Sequence, residues 1–251
     1  MPELSVVIIT HNEEQNIGRC LDALKGLADE IIVVDSFSTD KTVEICETYG
    51  CRVIVREFKG YVDQKQFAVN EAKNNWILSL DADEVITEGL KTEIATLFQQ
   101  EKIPYNGYWI RFSLYYLGKI LRHSGVGFEH KLRLFDRQTG AFEFTYVHEE
   151  VKVNGLAGRL KGIIIHYSYH DLQHHIEKSN DYTTLAAKHY LKKGKHFSKL
   201  WVAFKFPVTF LLYYFVKGGF LDGYPGFMWS FMAAFYTTTK IAKTIELIDK
   251  S

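Results

Sequence analysis

Short apolar runs alternate with amphipathic stretches through the first hundred residues. Ser5 to Thr10, Ile31 to Asp35, Arg52 to Val55 and Trp76 to Leu80 are β-rich. Between them apolar residues recur at helical spacing, at Ile17, Leu21 and Leu24 and again at Val43, Cys46 and Tyr49. Near-continuous apolar strands are buried on both faces, as in a parallel sheet covered by helices. The pattern predicts a βαβ series and an α/β fold with a mostly parallel sheet. After Pro104 it changes to aromatic strands and turns, at Tyr108 to Tyr116, Lys131 to Phe135, Phe142 to Val147 and Ile163 to Tyr169, expected to extend the sheet with antiparallel or mixed strands. Helical periodicity takes over from Asp171 and ends in an amphipathic segment, Met228 to Ile248. A boundary near residue 170 is expected, between a domain of residues 1–170 and a helical extension of residues 171–251.

Polar clusters stand where three of these strands end: Thr10-His-Asn-Glu-Glu14, Asp35-Ser-Phe-Ser-Thr-Asp40 and Asp81-Ala-Asp-Glu84. In open parallel sheets, ligands bind beyond the carboxyl ends of the strands. Helix capping explains each cluster singly, and Ser38, Thr39 or Asp40 fits that role before Lys41. Capping explains their co-location less well. Asp81 and Asp83 suit a hard cation, Mg²⁺ or Mn²⁺, held by carboxylates while phosphate oxygens and waters complete its shell. Neither GxGxxG nor GxxxxGK[ST] occurs, so no glycine loop cradles the phosphates. A metal that neutralises a nucleotide diphosphate, and stabilises it as a leaving group, takes that place.

Composition narrows the partners. The 251 residues, 47% hydrophobic and 24% charged, can bury a full core. Zero net charge, with no RNA-binding aromatic signature and no zinc-finger spacing, argues against nucleic acid. Cys20, Cys46 and Cys51 are odd in number and lack metal-type spacing, while Met1 to Ser5 leads directly into a strand, so a cytoplasmic location is expected. The longest apolar run, Phe206 to Val216 between Lys205 and Lys217, is shorter than the roughly 20 residues of a spanning helix, so no membrane crossing is expected. Residues 182–221 stand apart: they hold seven lysines and no Asp or Glu, with Phe197, Trp201, Phe204 and Phe210 among their aromatics. That composition suits peripheral contact with an anionic membrane surface, on its inner face. The plainer reading is a solvated basic helix followed by core aromatics.

Leu4-Ser-Val-Val-Ile-Ile-Thr-His-Asn-Glu-Glu14, Ile31-Ile-Val-Val-Asp-Ser-Phe-Ser-Thr-Asp-Lys-Thr42 and Leu80-Asp-Ala-Asp-Glu84 resemble family 2 glycosyltransferases of the GT-A fold. Further on, Lys131-Leu-Arg-Leu-Phe135, Val147-His-Glu149 and His166-Tyr-Ser-Tyr169 resemble a narrower branch, the lipopolysaccharide or lipooligosaccharide core β-1,4-glucosyltransferases. The resemblance implies a metal-dependent inverting transfer of a hexose, glucose from UDP-glucose, onto a glycan or lipid-linked acceptor. It places Thr10, Asn12 and Glu13 against the nucleotide, Asp35 on the uracil ring, Asp81 near the ribose and the metal shell, and Asp83 on the metal.

An inverting transfer also needs a base for the acceptor hydroxyl, within hydrogen-bond reach. The family commonly takes it from a Glu-Asp pair downstream of Asp-x-Asp, and no such pair follows residue 84 here. Glu149 is the first choice and Glu129 the substitute. His166, after an apolar run, is a candidate further metal ligand, against the plainer reading of a hydrogen-bonded strand-end histidine. Arg133 is a candidate phosphate contact through its planar fork, or an ordinary ion-pair residue. Two other readings share parts of this logic: a nucleotidyltransferase, and a membrane-peripheral nucleotide-sugar-binding module without turnover. An aspartyl phosphatase fits poorly, since Val85 stands where such enzymes carry Thr and the acid pair follows the fourth strand.

Overall fold

A computed structural model of the chain describes residues 3–127, 129–145 and 148–250. The expected series is present as β1 (Leu4–Thr10), α1 (Ile17–Leu24), β2 (Glu30–Asp35), α2 (Thr42–Thr48), β3 (Arg52–Val55), α3 (Tyr61–Glu71) and β4 (Trp76–Asp81). These four strands pair in parallel in the order β3-β2-β1-β4. Then come β5 (Glu84–Ile86), α4 (Glu88–Phe98), β6 (Gly107–Tyr116), β7 (Lys119–Ile120), β8 (His130–Asp136), β9 (Gly140–Thr145), β10 (His148–Val153) and β11 (Ala157–His166). The sheet continues past β4 as β8-β6-β11-β5, and β8 is antiparallel to both β4 and β6. This is the expected α/β, GT-A arrangement, with helices on a sheet that is parallel from β3 through β4.

Alternation along the strands explains why both faces are covered. Leu4, Val6, Ile8, Leu78 and Leu80 pack with Ile17, Leu21 and Leu24 of α1 and with Leu90 and Ile94 of α4. Val7, Ile32, Val34 and Ile77 point the other way, onto Ala68 and Val69 of α3. Full burial of each such side chain contributes about 1.5–3 kcal/mol. Gly162 lets α4 lie against β11, for a Cβ there would come within 2.5 Å of the Leu90 Cβ.

One strand departs from expectation. The run beginning at Phe142 does not extend the sheet: β9 pairs with β10 as a separate two-stranded ladder, and Val147 lies outside the described residues. Phe142 and Val151 stand opposite each other and are buried in the α3-side core, whereas Glu143 and Glu150 are exposed. A hairpin with one apolar face lies on the core as a cover instead of joining the sheet edgewise.

The chain forms two compact units, Met1–Ser113 with Phe128–Tyr167, and Leu114–Gly127 with Ser168–Ser251. The second contains α5 (Leu172–Lys192), α6 (Lys199–Leu211), a π turn (Leu212–Val216), a 3-10 turn (Gly219–Asp222) and α7 (Tyr224–Asp249). Segment 114–127 groups with these helices because Tyr116, fully buried, hydrogen-bonds His175 Nδ1 at 2.8 Å and packs edge-on to Tyr169 and Trp229. Among the described residues one helical stretch, Lys199–Val216, is long and apolar enough to cross a membrane by length and composition, with 6% of it buried. Lys205 interrupts the apolar run in the sequence, but the helix begins at Lys199 and runs on without a break through the π turn, which makes the stretch longer than the run from Phe206.

Candidate active site

Parallel pairing alone brings the three polar clusters to one sheet edge. Thr10 is in register with Asp35 across β1 and β2, and Ile9 with Asp81 across β1 and β4. Asp35, 1% exposed, accepts hydrogen bonds from the Ser38 amide (2.8 Å) and hydroxyl (2.5 Å). Asn12 has a left-handed φ of 54° and ties the two loops together: its amide donates to Ser38 Oγ, and its Oδ1 accepts from the Thr39 amide, each at 2.8 Å. Phe37 carries a second left-handed φ, 59°. Strained non-glycine residues of this kind persist where surrounding bonds over-determine them, and they cluster at ligand sites. Thr10 is buried and its Oγ1 has no partner among the described residues. Glu13 accepts from Asn16 Nδ2 at 2.8 Å and gives its amide to Thr42 Oγ1, which makes it a brace for the start of α1.

At the tip of β4 the carboxylates meet two buried cations. Lys65 of α3, 1% exposed, places Nζ 2.8 Å from Asp81 Oδ1 and 3.1 Å from Glu149 Oε1. The approach to Oδ1 is an ion pair, and the aligned hydrogen bond goes to Asp81 Oδ2 at 3.1 Å. Arg133 of β8 sits 2.7 Å from Glu84 Oε1 and 3.3 Å from Asp81 Oδ2. Glu84, completely buried, also accepts the Asp81 amide at 3.0 Å. Burial opposes charge on Asp81, yet Lys65 and Arg133 hold its carboxyl well below the usual range. Burial pushes Glu84 up to about 6, with Arg133 opposing. Glu149 keeps a depressed carboxyl because Lys65 outweighs its partial burial.

Asp83 projects from the turn after β4 and bonds His166 Nε2 at 3.0 Å, while its carbonyl accepts the Tyr167 amide at 2.8 Å. Burial disfavours charge on His166, but the Asp83 carboxylate overrides it and raises the imidazole above its ordinary value. Among the described residues no three His, Cys, Asp or Glu side chains converge into a complete cation cage. In this structure Asp83 and His166 are paired with each other; released from that pair, they are the residues that could hold one edge of a metal whose remaining ligands are substrate phosphates and water. Asp81 is already matched by Lys65 and Arg133. Glu149 and Glu129 line one cavity of about 110 Å³ with Trp109 and Arg133. Their settings differ, for Glu129 is 68% exposed and 3.9 Å from Lys131, whereas Glu149 is held by the buried lysine.

Sequence reasoning does not find Lys65, places Glu84 in the third cluster without a role, and reads Ser38 as a helix cap, whereas Ser38 braces Asp35. Lys65 had a visible signal: it lies on the α3 face that carries Ala68 and Val69, three and four residues on, where a helix buries its apolar stripe. A lysine there needs a buried partner.

The model of the family described as "Glycosyl transferase family 2" matches residues 5–161. An uncharacterized glycosyltransferase of Rickettsia typhi is 35% identical over 261 residues, covering 100% of this chain and 89% of the relative. The lipopolysaccharide core biosynthesis glycosyltransferase LpsC of Rhizobium meliloti is 30% identical over 251 residues, covering 97% and 92%. Among solved structures, S. aureus TarS 1-349 in complex with UDP-GlcNAc is 24% identical over 49% of this chain and 37% of that one, with a TM-score of 0.39. By the family model and by relatives matched along nearly their whole length, the chain belongs to glycosyl transferase family 2.

Proposed function

We propose that the protein is a metal-dependent, inverting hexosyltransferase that moves glucose from UDP-glucose to a glycan or lipid-linked acceptor in assembly of a lipopolysaccharide core. The bridge from Asp81 through Lys65 to Glu149 carries this reading, because it ties the donor edge of the sheet to an ionised carboxylate (2.8 and 3.1 Å). The full-length likeness to LpsC supports the pathway, and the motifs shared with core glucosyltransferases support the sugar.

Asp35, braced by Ser38, presents an acceptor for the uracil ring, and Thr10 and Asn12 line the nucleotide edge. Asp83 and His166, with Asp81 beside them, would hold Mg²⁺ or Mn²⁺. When bound, the metal supplies Lewis-acid stabilisation of the diphosphate leaving group. Arg133 adds fixed positive charge at the same edge. Glu149 accepts the proton of the acceptor hydroxyl as that oxygen attacks the anomeric carbon from the face opposite the diphosphate. Lys65 positions this carboxylate and keeps it ionised. Family membership sets aside the nucleotidyltransferase reading. The basic, aromatic helices of the second unit, residues 182–221, are proposed to hold the enzyme to the anionic inner face of the cytoplasmic membrane, where lipid-linked acceptors reside.

The test is a panel of UDP-sugars with Mn²⁺ or Mg²⁺, scored for nucleotide binding and slow UDP release. UDP-glucose is expected to lead. Absence of nucleotide binding with either metal overturns the reading.

A further inference from the structure

Helix α6 is apolar on two faces, and the structure covers one. Phe206 and Phe210 turn inward onto Phe231 and Phe227 of α7, with ring centroids 5.3 and 5.5 Å apart. The opposite face carries Trp201, Phe204, Val208, Leu211 and, in the π turn, Phe215, which are 47–57% exposed. Their spacing of three and four residues makes one continuous stripe. Apolar exposure of this extent marks a surface built for a partner.

Charge around the stripe identifies that partner. Lys205 and Lys217 flank it, and no Asp or Glu occurs from Tyr182 to Leu221, while Lys199 turns to the α7 side and pairs with Asp249 at 2.8 Å. The acid of the following turn, Asp222, is folded inward: 1% exposed, it accepts the amides of Arg122 and His123 at 3.2 and 2.8 Å and lies 3.9 Å from Lys119 Nζ. The surface therefore offers carbon and positive charge, as an anionic bilayer surface requires. Crossing is disfavoured by where the charges fall, since Lys205 and Lys217 leave only 11 uncharged residues between them, about 16 Å of helix against a hydrocarbon core of roughly 30 Å.

We infer that α6 lies in the plane of an anionic membrane, its outer stripe embedded at the boundary between headgroups and acyl chains, with the flanking lysines on lipid phosphates. This rests on the membrane contact proposed above and gives it a defined face and depth.

The full chain is mixed with vesicles of phosphatidylcholine and phosphatidylglycerol, carrying an environment-sensitive dye at Val208→Cys or, as a control, Lys250→Cys, each in a Cys51→Ser background. The dye at 208 is expected to be quenched by nitroxides high on the acyl chain and shielded from aqueous iodide, while the dye at 250 stays open to iodide. Phe204→Glu with Val208→Glu should weaken vesicle partitioning at least ~10-fold, leaving UDP binding and thermal unfolding unchanged. Salt-reversible binding with 208 still open to iodide overturns the embedding and keeps peripheral contact. Absence of vesicle binding overturns both, whereas UDP binding tests the transferase reading separately. Quenching strongest from the acyl terminus would show a crossing helix instead. Shielding of 208 without vesicles, with a dimer in ultracentrifugation, would assign the stripe to a second copy.

Discussion

Lys65 and Asp81 form the ion pair around which the candidate site is organised: the ammonium, 1% exposed, lies 2.8 Å from a carboxylate at the tip of a parallel strand. The same nitrogen reaches Glu149, 84 residues further along the chain, so one buried cation ties α3 to the β9–β10 hairpin and the donor edge.

Lys65→Met should therefore damage both stability and turnover. Breaking a buried pair by removing one partner costs about 3–5 kcal/mol, because the other charge is left uncompensated. A clear fall in melting temperature is expected, together with a loss of transfer of about 10²-fold or more. Lys65→Arg, which keeps the charge, should recover part of the stability. A Met variant as stable and active as the parent would remove Lys65 from the site.

The pH profile follows from Glu149. Its carboxyl is lowered from the ordinary 4.5, so it stays ionised into mild acid, and kcat/KM should fall only below the usual carboxylate range. Lys65→Met removes the attraction that outweighs burial and should shift this acid limb upward. Linkage gives stability the same sign. Asp81 and Glu149, both depressed in the fold, contribute stability present above their unfolded values and lost as pH falls through the folded ones. Acid unfolding of the parent should thus steepen below about pH 4, while rising pH leaves this contribution intact.

Glu149→Gln is expected to lower acceptor transfer by about 10²–10⁴-fold while preserving UDP binding. Glu129→Gln, at a side chain 68% exposed, should stay near the parent. The reverse ranking in a steady-state transfer assay would move the base to Glu129.

Asp83→Asn and His166→Gln should each weaken Mn²⁺-dependent UDP binding by about tenfold or more, read by calorimetry with and without metal. Binding that keeps its Mn²⁺ dependence in Asp83→Asn would take that residue off the metal, and the same outcome in His166→Gln would leave the imidazole as a hydrogen-bond partner of Asp83.

Gly162→Ala tests the packing of the first unit. Its new methyl would meet the Leu90 backbone, with the Cβ 2.4 Å from Cα, so α4 must shift off β11. A loss of about 1–3 kcal/mol in chemical denaturation is expected, as for overpacked cores.

Local pattern made much of this legible. The βαβ series could be read because strands buried on both faces write themselves as unbroken apolar runs, and the order of strand-end clusters followed from parallel connection. The β9 run was misread as a sheet strand, since alternation fits a covering hairpin as well as a sheet edge, and only the pairing of Phe142 with Val151 over the core distinguishes them. The basic, acid-free window around α6 was visible in composition, but which rings face α7 and which face outward was not.

The sequence by itself determined the α/β fold, the family motifs and the carboxylates at three strand ends, because these depend on residue type and short-range period. Tertiary structure alone decided that Lys65 would bridge Asp81 to Glu149, that Arg133 would divide itself between Asp81 and Glu84, and that Glu84 would be buried. These are contacts between residues far apart in the chain, set by how α3, β8 and the hairpin pack, and no local period encodes the partner of a buried charge.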